Sequence, residues 1–156
     1  WLPAVASGDV VMAFGLTEPG AGSDAANLSC RATRDGDSWV VNGEKSSITF
    51  AGSAGACIVF ARTGGPGARG ISMILVPLDS PNVARSVYPS AGGHLACRGS
   101  LFFDQVRVPL DHQIGEEGTG FLGAMQAFDF NRAIIALASI GSARQSAKQA
   151  LGSRAG

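Results

Sequence analysis

The most informative part of this chain is a tight loop that follows the apolar run 10–14 and reads Leu16-Thr17-Glu18-Pro19-Gly20-Ala21-Gly22-Ser23-Asp24-Ala25-Ala26. Pro19 is typical of the entry to a turn, and we expect Gly20 and Gly22 to take positive φ angles there. Successive backbone N–H groups in such a loop form an anion-binding concavity, to which Thr17 and Ser23 can add hydroxyl donors. The alternative is a hairpin turn that happens to be rich in glycine.

Around this loop the chain alternates short apolar runs with turn signals. The pattern predicts strands over residues 10–16, 28–34, 38–42, 58–63, 71–78, 83–88 and 99–108. Asp35-Gly36 predicts a hairpin, and Asn42-Gly43 predicts a second turn. Together these signals predict a mainly β fold, an open barrel or sandwich of about seven short antiparallel strands.

The character of the sequence changes after Pro109. A glycine-rich hinge at 115–120 is followed by apolar residues at mostly helical spacing, which predict one long C-terminal helix ending near Leu151. We therefore expect a β domain over residues 1–114 and, over 115–156, a hinge and the first helix of a truncated helical domain. Because a lone helix cannot bury its apolar stripe, we expect it to pack on further helices or in a homo-oligomer.

Composition excludes several classes of protein. Hydrophobic residues make up 46% of the chain, and twelve acidic residues balance twelve basic ones, so there is no electrostatic case for nucleic acid or an anionic membrane. No apolar run approaches the ~20 residues of a membrane-spanning helix. Three widely spaced cysteines without a histidine cluster favour a reducing compartment such as the cytoplasm. His94 and His112 are isolated, so we expect no metal site, and the start without Met indicates a piece of a longer protein.

The loop resembles the signature of the acyl-CoA dehydrogenase family. That signature runs small residue, aliphatic, Ser/Thr, Glu, two free positions, small, Gly, Ser/Thr, Asp, two free positions and a final small residue. Only Asn27 departs from it, at that final position. Further matches follow in family order at residues 39–45 with Ile48-Thr49, 59–63 with 70–72, 98–100 with 103–109, and 115–121. Ser47 stands where the family often has Trp, and the run 42–47 looks more like members that act on alicyclic acyl-CoA thioesters.

The resemblance implies an FAD site formed by two segments of the chain. The implied contacts are Phe14, Leu16, Thr17, Gly22 and Ser23 in the first segment and Ser47, Ile48 and Thr49 in the second. Leu16 and Thr17 would lie along the pyrimidine edge of the flavin, and Thr49 would lie beside N5 and O4. Ser23 would lie near the pyrophosphate and the thioester ligand. Fixed donors at these places stabilise charge that develops on the flavin.

For the substrate, the resemblance points to the predicted helix. Asp129, Asn131 and Arg132 match the segment that touches the acyl-CoA thioester in relatives, although an Asp/Arg pair at this spacing is otherwise a weak surface ion pair. Some relatives carry the catalytic glutamate directly before the Arg, where this chain has Asn131, an amide that cannot act as a base. Glu18 and Asp24 are interpreted as loop-stabilising, so we expect no catalytic base in this chain.

The implied activity is FAD-dependent α,β-dehydrogenation of an acyl-CoA thioester, with electrons passing to an electron-transferring flavoprotein or a similar acceptor. As a fragment without its base, the chain is expected to be poorly active or inactive. Two alternatives stay open: a non-catalytic flavin-binding or assembly module, and an oxygen-reacting relative such as an acyl-CoA oxidase or flavin monooxygenase.

Overall fold

The structure is a computed structural model that describes residues 1–89 and 96–152. Its helices and strands are, in chain order, α1 (Leu2–Ser7), β1 (Met12–Gly15), β2 (Arg31–Asp35), β3 (Ser38–Ile48), β4 (Ala56–Arg62), β5 (Ile71–Pro77), β6 (Val83–Val87), β7 (Gly99–Pro109), β8 (Gln113–Ile114) and α2 (Gly120–Gly152). The chain divides into two compact units, Trp1–Phe121 and the residues from Leu122 onward.

The first unit is built on one eight-stranded sheet with the order β6-β7-β3-β2-β4-β5-β8, and β1 lies beside β4. The mainly β fold followed by a long helix is therefore confirmed, and all seven predicted strands are present. The β2–β3 hairpin is closed by the pair Asp35 and Ser38, as the Asp35-Gly36 signal predicted. Two pairings are parallel, that of β1 with β4 and a single bridge between β2 and β4. The sequence did not indicate α1 or the two-residue strand β8.

Strand β3 does not end at Asn42-Gly43, so the second predicted turn is wrong. The strand continues to Ile48 and pairs with β7 along its length, with a register shift between Val41 and Gly43 that marks a β-bulge. Gly43 has φ 135°, and a Cβ there would lie 2.8 Å from the Cα of Cys30. The glycine therefore serves a strand that passes very close to another backbone, and the long ladder with β7 overrides the local turn preference.

The core of the first unit lies between the strands and is almost entirely apolar. Its largest fully buried apolar side chains are Trp39, Phe60, Leu28, Ile71, Ile74, Leu101, Val41, Val59, Val76 and Val106. Lys45 is an exception, because its side chain is fully buried among them, and Glu18 is 4% exposed. Buried charges require partners, so we expect further hydrogen-bonding groups in the part of the sheet around these two residues.

In the second unit, α2 runs on to Gly152, close to the predicted end. Its apolar residues are spread around the helix, so the single stripe expected from the sequence is wrong. Large apolar side chains are exposed along it: Leu122, Phe130, Ile134, Ile135, Leu137, Ile140 and Leu151. A helix that is apolar on several sides is typical of one buried among neighbours.

Candidate functional site

The signature loop leaves β1 at Leu16 and turns at once. The N–H of Glu18 donates to the carbonyl of Ala21 at 3.1 Å, and the N–H of Ala21 donates back at 3.2 Å. This reciprocal bridge makes the turn, and neither Gly20 nor Gly22 takes the positive φ that we expected. Both glycines have open space where a Cβ would be, so the loop surface beside them is accessible.

The Glu18 carboxylate holds the loop from inside the sheet. One oxygen accepts from the N–H of Ser29 at 2.6 Å and from its hydroxyl at 2.7 Å. The other accepts from the N–H of Cys30 at 2.9 Å and from Lys45 Nζ at 2.7 Å. Lys45 Nζ also donates to the carbonyl of Leu16 at 3.2 Å. The loop-stabilising interpretation of Glu18 is confirmed, whereas the side chain of Asp24 bonds to no described residue.

The same contacts explain how these groups ionise. Burial raises the pKa of a carboxyl group, but the Lys45 ammonium and the donors of Ser29 outweigh it, and the pKa of Glu18 lies below its usual range. Two thiols lie near Lys45 and respond in the opposite direction. Burial raises the pKa of Cys30 to about 11 and that of Cys57 to about 12, so both are neutral thiols at physiological pH.

The end of β3 lies directly against the loop. The N–H of Ser46 donates to the carbonyl of Thr17 at 2.9 Å, next to the Lys45 contact with Leu16. Two consecutive residues of β3 thus bond to two consecutive residues of the loop. This brings together the two segments that carry the predicted flavin contacts.

Beyond Ser46 the backbone takes unusual angles. Ser47 has φ 59° and Phe50 has φ 64°, and non-glycine residues with such angles are uncommon and cluster at functional sites. The N–H of Ser47 donates to the hydroxyl oxygen of Tyr88 at 3.3 Å, and Arg98 Nε donates to the carbonyl of Ser47 at 3.3 Å. Tyr88 in turn lies 2.7 Å from the hydroxyl of Ser100. Tyr88 was not singled out in the sequence, and Arg98 was covered only by the segment match at 98–100; the supporting roles of both depend on strand pairing.

Arg62, at the end of β4, is a second support that sequence reasoning missed. Its guanidinium donates to the carbonyls of Ala26 and Leu28, at 2.9 to 3.1 Å, and therefore fixes the far end of the loop. It also donates to the carbonyls of Gly65 and Gly67 in the next loop. Only the segment match at 59–63 drew attention to this residue.

Several polar groups of the loop and of the residue that follows β3 have no hydrogen-bond partner among the described residues. Within residues 1–89 and 96–152, the hydroxyls of Thr17, Ser23 and Thr49 make no hydrogen bond, and neither do the N–H groups of Gly22 and Ser23. Thr17 is half-buried, and Gly22, Ser23 and Thr49 are exposed. A set of fixed donors beside an apolar sheet suits the carbonyl-rich edge and the phosphates of FAD, so the residues present fit this cofactor.

The remaining predicted flavin contacts differ in what they can offer. Leu16 and Ile48 are buried, 5% and 2% exposed, and their carbonyls already accept from Lys45 Nζ and from the N–H of Ala51, so both residues offer little surface to a ligand. Phe14 is half-buried and packs on Phe60 with ring centroids 4.6 Å apart. Ser47 is half-buried and presents the strained backbone already described.

The predicted substrate residues all lie on α2, in the second unit. Arg132 forms an ion pair with Asp129 at 3.2 Å, and the two side chains are 74% and 76% exposed. Asn131 is exposed as well. An exposed pair at this spacing contributes little to stability, so its presence alone does not indicate a function.

Other classes of site are not apparent in the described part of the chain. It contains no group of three His, Cys, Asp or Glu side chains placed to hold a metal ion. His112 bonds through Nδ1 to the carbonyl of Leu75 at 2.9 Å, while His94 lies outside the described residues. Neither helix has the length and hydrophobicity over its described residues to cross a lipid bilayer.

Comparisons with known proteins agree with the geometry. Residues 13–106 match the family model described as the acyl-CoA dehydrogenase middle domain. The human mitochondrial short-chain specific acyl-CoA dehydrogenase is 42% identical over 149 residues, which cover 92% of this chain and 35% of the relative. A subunit of the caffeyl-CoA reductase-Etf complex of Acetobacterium woodii is 36% identical over 97% of this chain and 40% of its own length.

Solved structures agree as well. A probable acyl-CoA dehydrogenase from Mycobacterium abscessus superposes with a TM-score of 0.79 at 41% identity, covering 85% of this chain and 35% of that protein. The chain therefore spans little more than a third of the length of these relatives. On the family match, the identity and the shared fold, this chain belongs to the acyl-CoA dehydrogenase family.

Proposed function

We propose that this chain forms the FAD-binding β domain of an enzyme that dehydrogenates an acyl-CoA thioester between its α and β carbons. Members of the family are FAD flavoproteins. The observation that carries the proposal is the bond from the Ser46 N–H to the Thr17 carbonyl, which brings the two donor-bearing segments side by side. The unpartnered hydroxyls of Thr17, Ser23 and Thr49 would then face the cofactor.

In this proposal the chain orients the cofactor and leaves the electron transfer to it. Bound FAD supplies an acceptor for the hydride that leaves the β carbon of the substrate. Thr17 and Thr49 would donate hydrogen bonds to the flavin, and Ser23 would donate to the pyrophosphate. Because the loop after β1 and the end of β3 hold these donors in place, they would stabilise negative charge on the flavin without reorganising.

The base that removes the α-proton is proposed to lie outside this chain. Glu18 is the buried carboxylate of the loop, and its oxygens already accept four hydrogen bonds, so it cannot reach a substrate. Asp129, Asn131 and Arg132 are proposed to contact the CoA thioester through the assembled helical region. We accordingly expect the 156-residue chain alone to have little or no dehydrogenase turnover.

The names of the relatives support the proposed substrate and electron acceptor. Their names include short-chain and isobutyryl-CoA dehydrogenases, and one belongs to an Etf complex. We propose an acyl-CoA substrate and an electron-transferring flavoprotein as acceptor; the alicyclic preference suggested by Ser47 stays a prediction. The exposed apolar side chains of α2 favour assembly into a homo-oligomer, and three widely spaced cysteines without a histidine cluster favour a reducing compartment such as the cytoplasm.

FAD titration tests the proposal. The chain is titrated with FAD, and the quenching of flavin fluorescence gives the dissociation constant. Thr49→Ala and Ser23→Ala should each raise it about threefold to tenfold, as expected for the loss of one hydrogen bond. Thr33→Ala is the matched control, because Thr33 is an exposed β2 residue whose hydroxyl bonds to no described residue. Failure of the wild-type chain to bind FAD, or equal effects of all three changes, would contradict the proposed site.

A further inference from the structure

The ion pair between Glu18 and Lys45 is unusual for its depth. The two side chains are 3% and 0% exposed, and the charged atoms are 2.7 Å apart. The other ion pairs of the described residues in the first unit, Arg34 with Glu117 and Arg107 with Asp35, have side chains at least 43% exposed. Charges buried to this extent are costly to desolvate, so their position needs a physical reason.

Glu18 and Lys45 connect the start of the signature loop to the residues that follow the loop and to β3. Glu18 belongs to the start of the loop, and its carboxylate accepts from Ser29 and Cys30, eleven and twelve residues further along the chain. Lys45 reaches from β3 to Glu18 and to the carbonyl of Leu16. The loop is thereby closed on itself by one carboxylate and fixed to β3 by one ammonium.

The bonds also fix the groups that would meet the cofactor. Leu16 directly precedes Thr17, whose carbonyl is held by the next residue of β3, Ser46. A shift of Lys45 or Glu18 would therefore move the Thr17 hydroxyl and the backbone that leads to Ser23. A Cβ at Gly20 or Gly22 would meet nothing within 4 Å, so packing at these two positions does not hold the neighbouring Ser23 in place.

We infer that Glu18 and Lys45 are positioning residues for FAD, which close the loop between residues 16 and 30 and hold the Thr17 and Ser23 donors in their binding geometry before the cofactor arrives. The inference rests on the proposed function, because it assigns the pair to the same site. Neither residue contacts the cofactor in this account. Their effect on binding is pre-organisation, which raises affinity by removing the cost of ordering the loop.

The decisive variant is the double change Glu18→Gln with Lys45→Met. It keeps the size of both side chains and buries no charge, so the sheet should fold, whereas either single change leaves one partner buried alone. Arg107→Met is the matched control. It removes an exposed ion pair of the same sheet, the one between Arg107 and Asp35, and neither residue bonds to the loop. Urea unfolding first establishes that each variant is folded.

Two readouts then separate positioning from simple stabilisation. Hydrogen–deuterium exchange without FAD should be about tenfold faster or more at the amides of Ser29 and Cys30 in the double variant, and unchanged in Arg107→Met. The FAD dissociation constant should rise about tenfold, with a change in the visible absorption band of the bound flavin. If the double variant does not fold, Ser29→Ala is measured in the same way, because it removes one hydrogen bond to the Glu18 carboxylate and leaves no charge without its partner.

The outcomes are distinguishable. A wild-type chain that binds no FAD overturns the proposed function and, with it, this use of the pair. A wild-type chain that binds FAD, together with a folded variant whose affinity and amide exchange match wild type, overturns only the inference. Faster exchange with unchanged affinity also overturns it, because the pair would then stabilise the loop without serving the cofactor.

Discussion

Replacing Gly43 by alanine tests the close passage of β3 over the end of the signature loop. At φ 135° the residue is in a region that L side chains rarely adopt, which costs about 1–3 kcal/mol. The new Cβ would also lie 2.8 Å from Cys30 Cα and 3.0 Å from its Cβ, and backbone atoms cannot rotate away. Overpacking of this kind costs about 1–3 kcal/mol, so we expect Gly43→Ala to lower the free energy of unfolding by about 2–6 kcal/mol.

Gly36→Ala is the control that separates the two terms. Gly36 also has a positive φ, 62°, but a Cβ there meets nothing within 4 Å, so only the conformational cost of about 1–2 kcal/mol applies. Urea unfolding followed by the fluorescence of Trp39, which is buried in the sheet, measures both variants. If Gly43→Ala destabilises the chain no more than Gly36→Ala, the close contact with Cys30 is wrong and so is the bulge geometry that depends on it.

Two pH-dependent predictions follow from the buried groups. The pKa of Glu18 is lowered on folding, so its contribution to stability is complete above the ordinary carboxyl pKa of about 4.3 and is lost as pH falls through the lower folded value. The loss of stability at acid pH should therefore be shallower in Glu18→Gln than in the wild-type chain. An unchanged loss of stability at acid pH would contradict this. The pKa values of Cys30 and Cys57 are raised to about 11 and 12, so stability should decline as pH rises above about 8.5, where the unfolded thiols ionise. In the native chain at neutral pH, Ellman's reagent should modify the half-buried Cys97 before Cys30 and Cys57. Rapid reaction of all three thiols would refute the burial of Cys30 and Cys57.

The strands could be predicted from the sequence because their signals are local. Alternation of apolar and polar residues marks a half-buried strand without knowledge of its partner, and Asp35-Gly36 specifies its hairpin through the turn itself. Asn42-Gly43 carries an equally strong local signal and yet forms a bulge. The difference lies in β7, which pairs with β3 on both sides of this dipeptide and is more than fifty residues away in the chain. Local turn chemistry cannot report a ladder that is formed by a distant strand.

In the candidate site, too, the residues in a local motif could be predicted and those that act through long-range contacts could not. The residues that would face a ligand, such as Thr17, Ser23 and Thr49, were found through a motif whose order is visible in the chain. The supporting roles of Lys45 and Tyr88 could not be found in this way, because each residue joins segments that are distant in sequence. Lys45 lies 27 residues from Glu18, and Tyr88 lies 41 residues from Ser47. A lysine within a strand pattern is ordinarily interpreted as exposed, and only the fold places it in the core.

The burial of Glu18 and Lys45 is better explained by the loop than by the sheet. Well-packed apolar side chains in place of a buried ion pair are often neutral or stabilising by about 1–4 kcal/mol, so stability alone gives no reason for charges at this depth. Apolar side chains could not, however, accept from the N–H groups of Ser29 and Cys30 or donate to the carbonyl of Leu16. Those three backbone groups would lose partners that the surrounding apolar core cannot replace, at about 1–3 kcal/mol for each one that remains buried. A closed loop beside β3 therefore requires polar side chains at these two positions, and their mutual neutralisation is what allows them to be buried.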